Sequence, residues 1–584
     1  MATIHLGGTR LEPKTISFRL NKPFLITMAV LYLLAMHVFM PNPGGAGLSL
    51  TFNNTSWIAL SAALGFGLYH LANNRVLLYS KLTLNLFLCA VLLTVPILYI
   101  NAEPTQVLAR LMGLWAGLLL LVCLQQFRLS NKHKQRLLWL IVLACVIEAL
   151  IGYGQYFLLE PGNIFGYNTE TNRPYGIFQQ PNVMASFLAT GLVLSGYLLA
   201  RQPVKYNRTI SDVSLLYLLP ALTLPLIVVL ASRTGWLATL SSVLLLLPYL
   251  YRFATRRRMI GWLASVAIGV VVGLLLTTGA ARDSVSEKVD LDSPRSFTFP
   301  QALDMLVEKP FTGYGYGKFE SQYILYTARQ HQLNPDYPAG LPAMDHPHNE
   351  LLYWGVEGGL LPVVAIILAA LLVLRRIYRA KPGTRLALFS LFVPIVLHSQ
   401  LEYPFYHSVI HWISFILLIF WVDQRSAVIY KASFGSSVKT GLRVSSLIIP
   451  IITSVYMVTA MHSNWLLTQF EKSQPKDPEI LNRVTNPLVW QDRFDWDIYS
   501  TYLNLGLISQ DPELIQPYID WSLDIIKLKP RPAFYHNLVL AYQAIGDISK
   551  AQQVQTEANY LFPSHPMEWT EASPSVATSV SGSK

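Results

Sequence analysis

The stretch Asp345-His346-Pro347-His348-Asn349-Glu350 lies where the chain changes from a long polar segment, roughly residues 280–349, to an apolar run that begins at Leu351. An ionisable side chain is costly at a membrane–water boundary, so its presence there favours a functional role. Histidine exchanges a proton near neutral pH, which suits it to acid–base chemistry. The stretch therefore predicts the edge of a membrane domain and a candidate site at that edge.

The composition is that of a membrane protein. Hydrophobic residues make up 52% of the 584 residues and charged residues only 13%, whereas soluble domains carry about 25% charged residues. All three cysteines, Cys89, Cys123 and Cys145, lie inside apolar runs. The sequence therefore predicts no disulfide or cysteine–metal framework.

Apolar runs of about 17–25 residues, the length that crosses a bilayer, recur along the chain. We predict an all-α polytopic fold of about thirteen spans, with a long periplasmic loop before a late span. The spans lie near residues 24–40, 56–74, 84–100, 107–127, 137–159, 182–200, 213–232, 235–253, 259–279, 351–374, 385–400, 406–423 and 443–461.

The net charge of +11 reflects topology rather than nucleic-acid binding. With the N-terminus inside, alternate loops are cytoplasmic, and these loops hold basic clusters such as Arg256-Arg257-Arg258 and Arg375-Arg376. The opposite short loops contain almost no Lys or Arg, as the positive-inside rule requires. An odd number of spans then places the His348 segment and the C-terminus on the outer face.

The predicted domain organisation has six parts. They are the cytoplasmic N-terminus (1–23), spans one to nine (24–279), the periplasmic loop with the site segment (280–350), spans ten to thirteen (351–461), a periplasmic helical domain (462–570) and a disordered tail (571–584). Within the helical domain, Ala533–Pro563 follows the helix–turn–helix pattern of a tetratricopeptide unit. Since so few hairpins bury no full solenoid core, we expect them to pack on the membrane domain or on a partner.

Two histidines are the first candidate site residues. His346 and His348 face the same way if the segment is extended. Solvated histidines in an interfacial loop, a zinc site completed by Asp345 or Glu350, and an acid–base centre all remain open. Asn349 leads into an apolar helix and is a candidate cap. Glu350 is the candidate to orient His348 through a carboxylate–imidazole hydrogen bond.

Two arginines on the outer side are candidate ligands of a phosphate group. Arg233 lies in a short turn between two long apolar runs, and Arg295 lies in the long loop. The planar guanidinium binds phosphate oxygens through paired hydrogen bonds. A side chain reaching to the interface is the alternative for Arg233, and a solvated loop charge is the alternative for Arg295.

Two polar turns complete the candidate site. Gln180 and Asn182 offer hydrogen bonds where a span begins, with helix capping as the alternative. Glu402 and Tyr403 lie between two spans, with an aromatic-belt connector as the alternative. Asp290-Leu291-Asp292 matches the Asp-x-Asp of metal-dependent nucleotide-sugar transferases, but such short acidic pairs are common by chance.

The motifs together resemble a known superfamily. The segments Phe178-Gln179-Gln180-Pro181-Asn182, Ser232-Arg233-Thr234, Arg295 with Pro310-Phe311-Thr312-Gly313-Tyr314-Gly315, His346-Pro347-His348-Asn349-Glu350-Leu351 and Glu402-Tyr403-Pro404-Phe405 occur in the family order. They resemble the O-antigen ligase/polymerase superfamily, and most closely the PglL-type bacterial protein O-oligosaccharyltransferases, over roughly residues 160–410.

The resemblance implies a metal-independent glycosyltransferase of the bacterial inner membrane, with its active site on the periplasmic face. The enzyme would move a glycan en bloc from undecaprenyl diphosphate to Ser or Thr of exported proteins such as type IV pilin. It implies no cofactor and no nucleic acid partner. His348 would be the base with Glu350 beside it, and Arg233 and Arg295 would bind the diphosphate. The substrate-positioning residues would be Gln180, Asn182, Tyr403, Glu402 and His346.

Other functions remain open. An O-antigen ligase or a polymerase would use the same lipid-linked donor with a different acceptor. A transporter of lipid-linked glycans would place its charged groups near the bilayer midplane and show internal repeats, whereas the polar candidates here lie at the outer face. A non-catalytic scaffold leaves the outer arginines and histidines unexplained.

The topology is testable with reporter fusions. Fusions after Lys205 and Arg379 should be active only with a reporter that works in the cytoplasm, because these loops carry the basic residues. Fusions after Asn334 and Asp547 should be active only with a reporter that works outside. An outer location for residue 379, or an inner one for residue 334, would contradict the predicted site.

Overall fold

The computed structural model describes residues 20–201, 210–277 and 293–568. Residues 1–19, the Asp290-Leu291-Asp292 pair and the stretch 571–584 that was predicted to be disordered lie outside these ranges. The described part of the chain is mostly helical. Its helices are α1 (Asn21–Leu33), α2 (Thr51–Asn74), α3 (Lys81–Thr94), α4 (Pro104–Gln126), α5 (Asn131–Leu158), α6 (Pro181–Arg201), α7 (Ile210–Val229), α8 (Arg233–Phe253), α9 (Arg256–Leu276), α10 (Arg295–Glu308), α11 (Phe319–Leu333), α12 (Glu350–Gly358), α13 (Leu360–Tyr378), α14 (Arg385–Ser390), α15 (Val393–Leu401), α16 (Pro404–His407), α17 (Val409–Asp423), α18 (Ser436–Lys472), α19 (Gln491–Ser509), α20 (Pro512–Leu528), α21 (Pro532–Ala544) and α22 (Ile548–Leu561).

Eight of the described helices are long and apolar enough to cross a membrane, by length and composition. They are α3 with its extension to Leu98, α4, α5, α6, α8, α9, α13 and α18, while α7 and α17 contain shorter apolar segments, Val213–Val229 and Val409–Asp423. The chain is therefore a multi-pass membrane protein. The predicted count of thirteen spans is not confirmed.

Two runs that were predicted as single spans are each divided into two helices. The run 351–374 breaks at Gly359, where φ is +74° and ψ is −159°, a conformation open almost only to glycine. A Cβ at this position would lie 2.6 Å from the carbonyl oxygen of Pro310. The run 385–400 breaks between α14 and α15, where Pro394 stands near the start of the second helix and has no N–H to continue the first.

A small sheet departs from the predicted all-α fold. Strand β1 (Val76–Ser80) pairs antiparallel with β2 (Ile429–Ser433). The rings of Tyr79 and Tyr430 stack across the two strands at 5.8 Å, and such aromatic pairs stabilise sheets. Five-residue strands beside long apolar runs have no periodicity of their own to reveal them.

Helix α6 forms the centre of the membrane domain. Its residues from Val183 to Ala200 are all buried, and it packs against α5, α7, α8 and α15. Gly235 of α8 lies against Ala185, and an added Cβ would approach the Cβ of Ala185 to 2.6 Å. Small residues allow such close approach of membrane helices. The starts of α6 and α8, which carry Asn182 and Arg233, therefore lie side by side.

The C-terminal helices form hairpins that begin at the end of α18. This 37-residue helix is about 55 Å long at 1.5 Å per residue, which exceeds the bilayer core of about 30 Å. Its last turns pack against Leu481 and Trp490. Helices α21 and α22 form a helix–turn–helix hairpin, with Gly546 at φ +81° in the turn. Its classification as a tetratricopeptide unit stays a prediction.

The C-terminal hairpins pack on the helices of the long loop, α10 and α11. Tyr323 of α11, Tyr518 of α20 and Leu538 of α21 belong to one buried cluster. Arg531, just before α21, donates two hydrogen bonds to Glu320 of α11, at 2.6 and 2.9 Å. Loop and tail therefore share a core.

Replacement of Gly359 tests the break between α12 and α13. We expect Gly359→Ala to lower stability by about 1–3 kcal/mol, because alanine would have to adopt a glycine conformation against the Pro310 carbonyl. The measurement is the thermal melting temperature of the detergent-purified protein. The control is Gly113→Ala in α4, where an added Cβ meets no atom within 4 Å. If Gly359→Ala is as stable as this control, the break has another cause.

Candidate active site

The backbone at His348 has an unusual conformation. His348 lies between α11 and α12 with φ at +55°, in a region that non-glycine residues seldom occupy. Its backbone N–H donates to Nδ1 of His346 at 2.8 Å. The first histidine thus fixes the turn that presents the second, and such strain is concentrated at functional sites.

A single carboxylate gathers the candidate residues. Oε2 of Glu402 lies 2.7 Å from Nδ1 of His348. Oε1 accepts a hydrogen bond from Asn182 at 3.0 Å and also pairs with Arg295. Glu402 itself is 5% exposed. Three residues predicted for the site, from three separate segments, therefore meet at the buried carboxylate of a fourth.

This contact decides which nitrogen of His348 carries the proton. An ionised carboxylate only accepts hydrogen bonds, so Nδ1 of His348 must donate to Glu402. In the neutral ring, Nε2 is then the nitrogen that accepts a proton. The His348 side chain remains 34% exposed, so a substrate can reach it. The arrangement is that of a general base held by a carboxylate.

Glu350 does not take the position predicted for it. Its Oε1 accepts hydrogen bonds from Trp354 and from the Tyr406 hydroxyl, both at 2.7 Å. Burial raises the pKa of Glu350. Because α12 begins at Glu350, its side chain reaches along the helix to the residue one turn later, away from His348. The prediction that Glu350 orients His348 is wrong, and Glu402 occupies that place.

His346 has a positioning role in this geometry. It is 4% exposed, and its ring lies 4.4 Å from the ring of Tyr353 and 5.2 Å from that of Tyr403. Burial lowers the pKa of His346 well below its usual range, which keeps the ring neutral and able to accept from His348. The Tyr403 ring also lies 5.2 Å from the His348 ring, so it packs against both imidazoles.

Gln180 and Asn182 have different roles. Oε1 of Gln180 accepts the backbone N–H of Val183 at 3.0 Å, the capping contact that was the alternative for this residue. Asn182, two positions later, reaches Glu402 instead. Because α6 is buried along its length, the position of Asn182 is fixed by the centre of the membrane domain.

Asn349 joins two elements of the site. Its Oδ1 accepts the backbone N–H of Leu352 at 3.0 Å, so the predicted cap of α12 is confirmed. Its Nδ2 donates to the carbonyl of Gln400 at 3.0 Å, near the end of α15. This bond holds the start of α12 beside the turn that carries Glu402.

The two predicted arginines lie at helix starts. Arg295 is the first residue of α10; its guanidinium contacts Glu402, and its side chain is 28% exposed. Arg233 is the first residue of α8, where Ser232 caps the helix by accepting the N–H of Gly235 at 3.0 Å. A helix N-terminus and an arginine both favour anions. The role of Arg233 as a phosphate ligand stays a prediction.

Sequence reasoning missed a buried ion pair beneath the site. Arg110 of α4 pairs with Glu357 of α12, and its guanidinium lies 4.5 Å from the centre of the Tyr353 ring and 4.3 Å from that of Trp354. Oε1 of Glu357 accepts the N–H of Gly317 at 3.0 Å. The available signal was a lone arginine inside an apolar run.

Fold and site together define a class of protein. It is a multi-pass membrane protein with a histidine–carboxylate–arginine cluster where a long loop enters the helical bundle. Three family models match the chain. They are described as O-Antigen ligase, over residues 218–367, as Protein glycosylation ligase, over residues 174–199, and as Virulence factor membrane-bound polymerase, C-terminal, over residues 386–577.

Two curated relatives come from Acinetobacter baylyi (strain ATCC 33305 / BD413 / ADP1). The chain is 26% identical to a General O-oligosaccharyltransferase over 323 residues, which are 51% of this chain and 53% of the relative. It is 24% identical to a ComP-specific O-oligosaccharyltransferase over 283 residues, 47% of this chain and 48% of the relative. The chain spans about half the length of these relatives. The predicted resemblance to the O-antigen ligase superfamily and to PglL-type O-oligosaccharyltransferases is confirmed.

Proposed function

We propose that the protein is an oligosaccharyltransferase that moves a glycan from undecaprenyl diphosphate to a Ser or Thr hydroxyl of an exported protein. The observation that carries this proposal is the contact between His348 and Glu402, which leaves Nε2 of the imidazole as the proton acceptor. The similarity to two O-oligosaccharyltransferases supports the same reaction.

The bond changes follow from this geometry. Nε2 of His348 accepts the proton of the acceptor hydroxyl, and the hydroxyl oxygen forms a bond to the anomeric carbon of the glycan. The bond between that carbon and the diphosphate oxygen breaks, and the lipid diphosphate leaves with the electron pair. General-base assistance of this kind contributes about 10²–10⁴-fold. Glu402 stabilises the imidazolium that forms, and a single direct attack inverts the anomeric centre.

The leaving group requires positive charge beside it. Arg295 pairs with Glu402 while its side chain stays partly exposed, and Arg233 begins the helix packed against the start of α6. Both suit the oxygens of a diphosphate. In this proposal the polyprenyl chain stays in the lipid, the diphosphate lies at the boundary, and the glycan extends to the periplasm. The reaction needs no metal and no cofactor.

A polymerase or ligase reaction is the second candidate. The polymerase family model covers residues 386–577, which include Glu402 and the helical tail. Such an enzyme would use the same donor with a saccharide acceptor. Co-expression with a lipid-linked glycan pathway and candidate acceptors, followed by the intact mass of each acceptor, separates the two. A glycan mass on a pilin-type protein supports the proposal, and a mass gain only on saccharide acceptors contradicts it.

Replacement of each histidine tests the base. We expect His348→Ala to lower transfer by about 10²–10⁴-fold, the range of a general base. His346→Ala should cost less, since this ring accepts only a backbone N–H. The measurement is the initial rate of transfer to a Ser-containing acceptor, with melting temperature as the folding control. A larger loss of transfer in the His346→Ala variant than in the His348→Ala variant would contradict the assignment of His348 as the base.

A matched pair of carboxylate variants tests the correction made by the structure. Glu402→Gln removes the charge that faces the imidazolium, and charged hydrogen bonds contribute about 1.5–3 kcal/mol, or about 10- to 100-fold in rate. Glu350→Gln keeps an amide oxygen that accepts from Trp354 and Tyr406, so we expect a loss of less than about 5-fold. If Glu350→Gln loses more activity than Glu402→Gln while both remain folded, Glu350 has the orienting role after all.

A further inference from the structure

A polar cavity lies between the outer loop and the C-terminal hairpins. Its volume is about 290 Å³, and its walls come from α4, α11, α12 with the segment before it, and the tail. We propose that this cavity binds one sugar unit of the donor glycan, beyond the sugar attached to the diphosphate. This inference rests on the proposed transferase function and assigns to the tail a part in binding the donor.

The cavity adjoins the catalytic cluster without containing it. Asp345 in its wall lies three positions before His348. Tyr353, also in the wall, packs against His346, which in turn holds the His348 backbone. A glycan whose first sugar is at His348 can therefore place a later sugar in the cavity.

The chemistry of the walls suits a sugar. Gln106 and the carboxylates offer planar hydrogen-bonding groups to hydroxyls, and Phe319 and Tyr353 add aromatic residues to the lining. Leu528 is the one aliphatic side chain among the described lining residues. The volume is at the lower end of the range for ligand pockets, which is about 300–1,000 Å³, so the cavity suits a single unit of a longer chain.

The charges in the cavity are largely neutralised within the protein. Glu320 pairs with Arg531, Asp492 with Lys529, and Glu357 with Arg110. Both cations among the described lining residues, Lys529 and Arg531, are thus paired with carboxylates, which favours a neutral ligand rich in hydroxyls over a phosphate.

Asp345 differs from the other carboxylates in the cavity. It is the lining carboxylate for which the described residues provide no ion-pair partner. Burial, and then the charge of Glu320, raise the pKa of Asp345. A carboxyl group can bind a sugar hydroxyl in either state, because the carboxylate accepts a hydrogen bond and the protonated acid also donates one.

A second cavity provides a matched comparison. It has a volume of about 310 Å³ and also lies between α11 and the tail, but Leu325, Leu523, Ile526 and Leu561 give it an aliphatic wall. The same two parts of the chain therefore form two cavities of similar size and opposite chemistry. Filling each with the same side chain separates the role of the polar cavity from the effect of bulk at this interface.

The experiment compares two donors with the full-length protein. One donor carries a single sugar on polyprenyl diphosphate, and the other carries the complete glycan of the source organism on the same carrier. We expect Gln106→Trp to lower kcat/KM at least 10-fold with the complete glycan and to leave the single-sugar donor unchanged. Gln106→Ala should lower kcat/KM with the complete glycan about 3- to 10-fold, since this change removes one hydrogen-bonding group worth about 0.5–1.5 kcal/mol. Leu523→Trp should change neither rate.

Each other outcome has a defined meaning. An equal loss with both donors, with a raised KM for the acceptor, overturns the proposal and assigns the cavity to the acceptor protein. No loss with either donor also overturns it.

Free oligosaccharide released from the lipid carrier by mild acid gives a readout that needs no transfer. Saturation-transfer NMR should show that it binds the wild type and the Leu523→Trp variant but not Gln106→Trp. If the wild type binds this oligosaccharide yet transfers neither donor, the proposed transferase function fails while the cavity assignment stands.

Discussion

The carboxylate of Glu402 is the constraint on which the rest of the site depends. A buried charge is costly unless it is paired and hydrogen-bonded, and here three donors meet it. The donors are His348, Arg295 and Asn182, which lie 54, 107 and 220 positions before Glu402 along the chain. Each arrives at the start of a helix or in the turn just before one. The site can therefore form only when the whole bundle is assembled, with α6 delivering Asn182 and α10 delivering Arg295.

The helix breaks follow from the same requirement. Irregular backbone at membrane depth is tolerated only where protein or a cavity satisfies its polar groups. The break at Gly359 separates α12 from α13, so α12 need not continue the axis of α13. The Asn349 side chain then donates a hydrogen bond to the carbonyl of Gln400, which holds the start of α12 there. Glu402 lies in the turn between α15 and α16, where its carboxylate meets His348.

The sequence identified which residues belong to the site more accurately than which of them contact one another. His348, Asn182 and Glu402 were recognisable because polar side chains are costly at the ends of apolar runs, and Arg295 was recognisable as an arginine in the long loop that the resemblance includes. Glu350 was predicted as the partner of His348 because it is near in sequence, whereas Glu402 is 54 positions away. Pairing across that distance depends on tertiary packing, which periodicity does not encode. The same reason explains why the Arg110–Glu357 pair was missed.

The fold was predictable to a similar degree. Apolar length indicated a helical membrane protein, but it did not show where a run divides, since a single glycine decides this at residue 359. Five-residue strands such as β1 gave no signal. The C-terminal hairpin was visible because turn residues and small helix residues follow a local pattern, whereas its packing against α11 depends on contacts that no local pattern reports.

The loop helices and the C-terminal hairpins share one buried core, which bears on whether the hairpins can bind an acceptor as a separate module. Tyr323 of the loop and Tyr518 of the tail are both fully buried in one cluster, and the Arg531–Glu320 pair is formed across the same interface. Removing the tail would expose these loop residues, so it could not be treated as a separable acceptor-binding module. The polymerase family model, which extends from residue 386 to residue 577, likewise spans both Glu402 and the hairpins. Because the tail also provides walls of the cavity beside His348, changes in the hairpins are coupled through packing to the segment that carries His348.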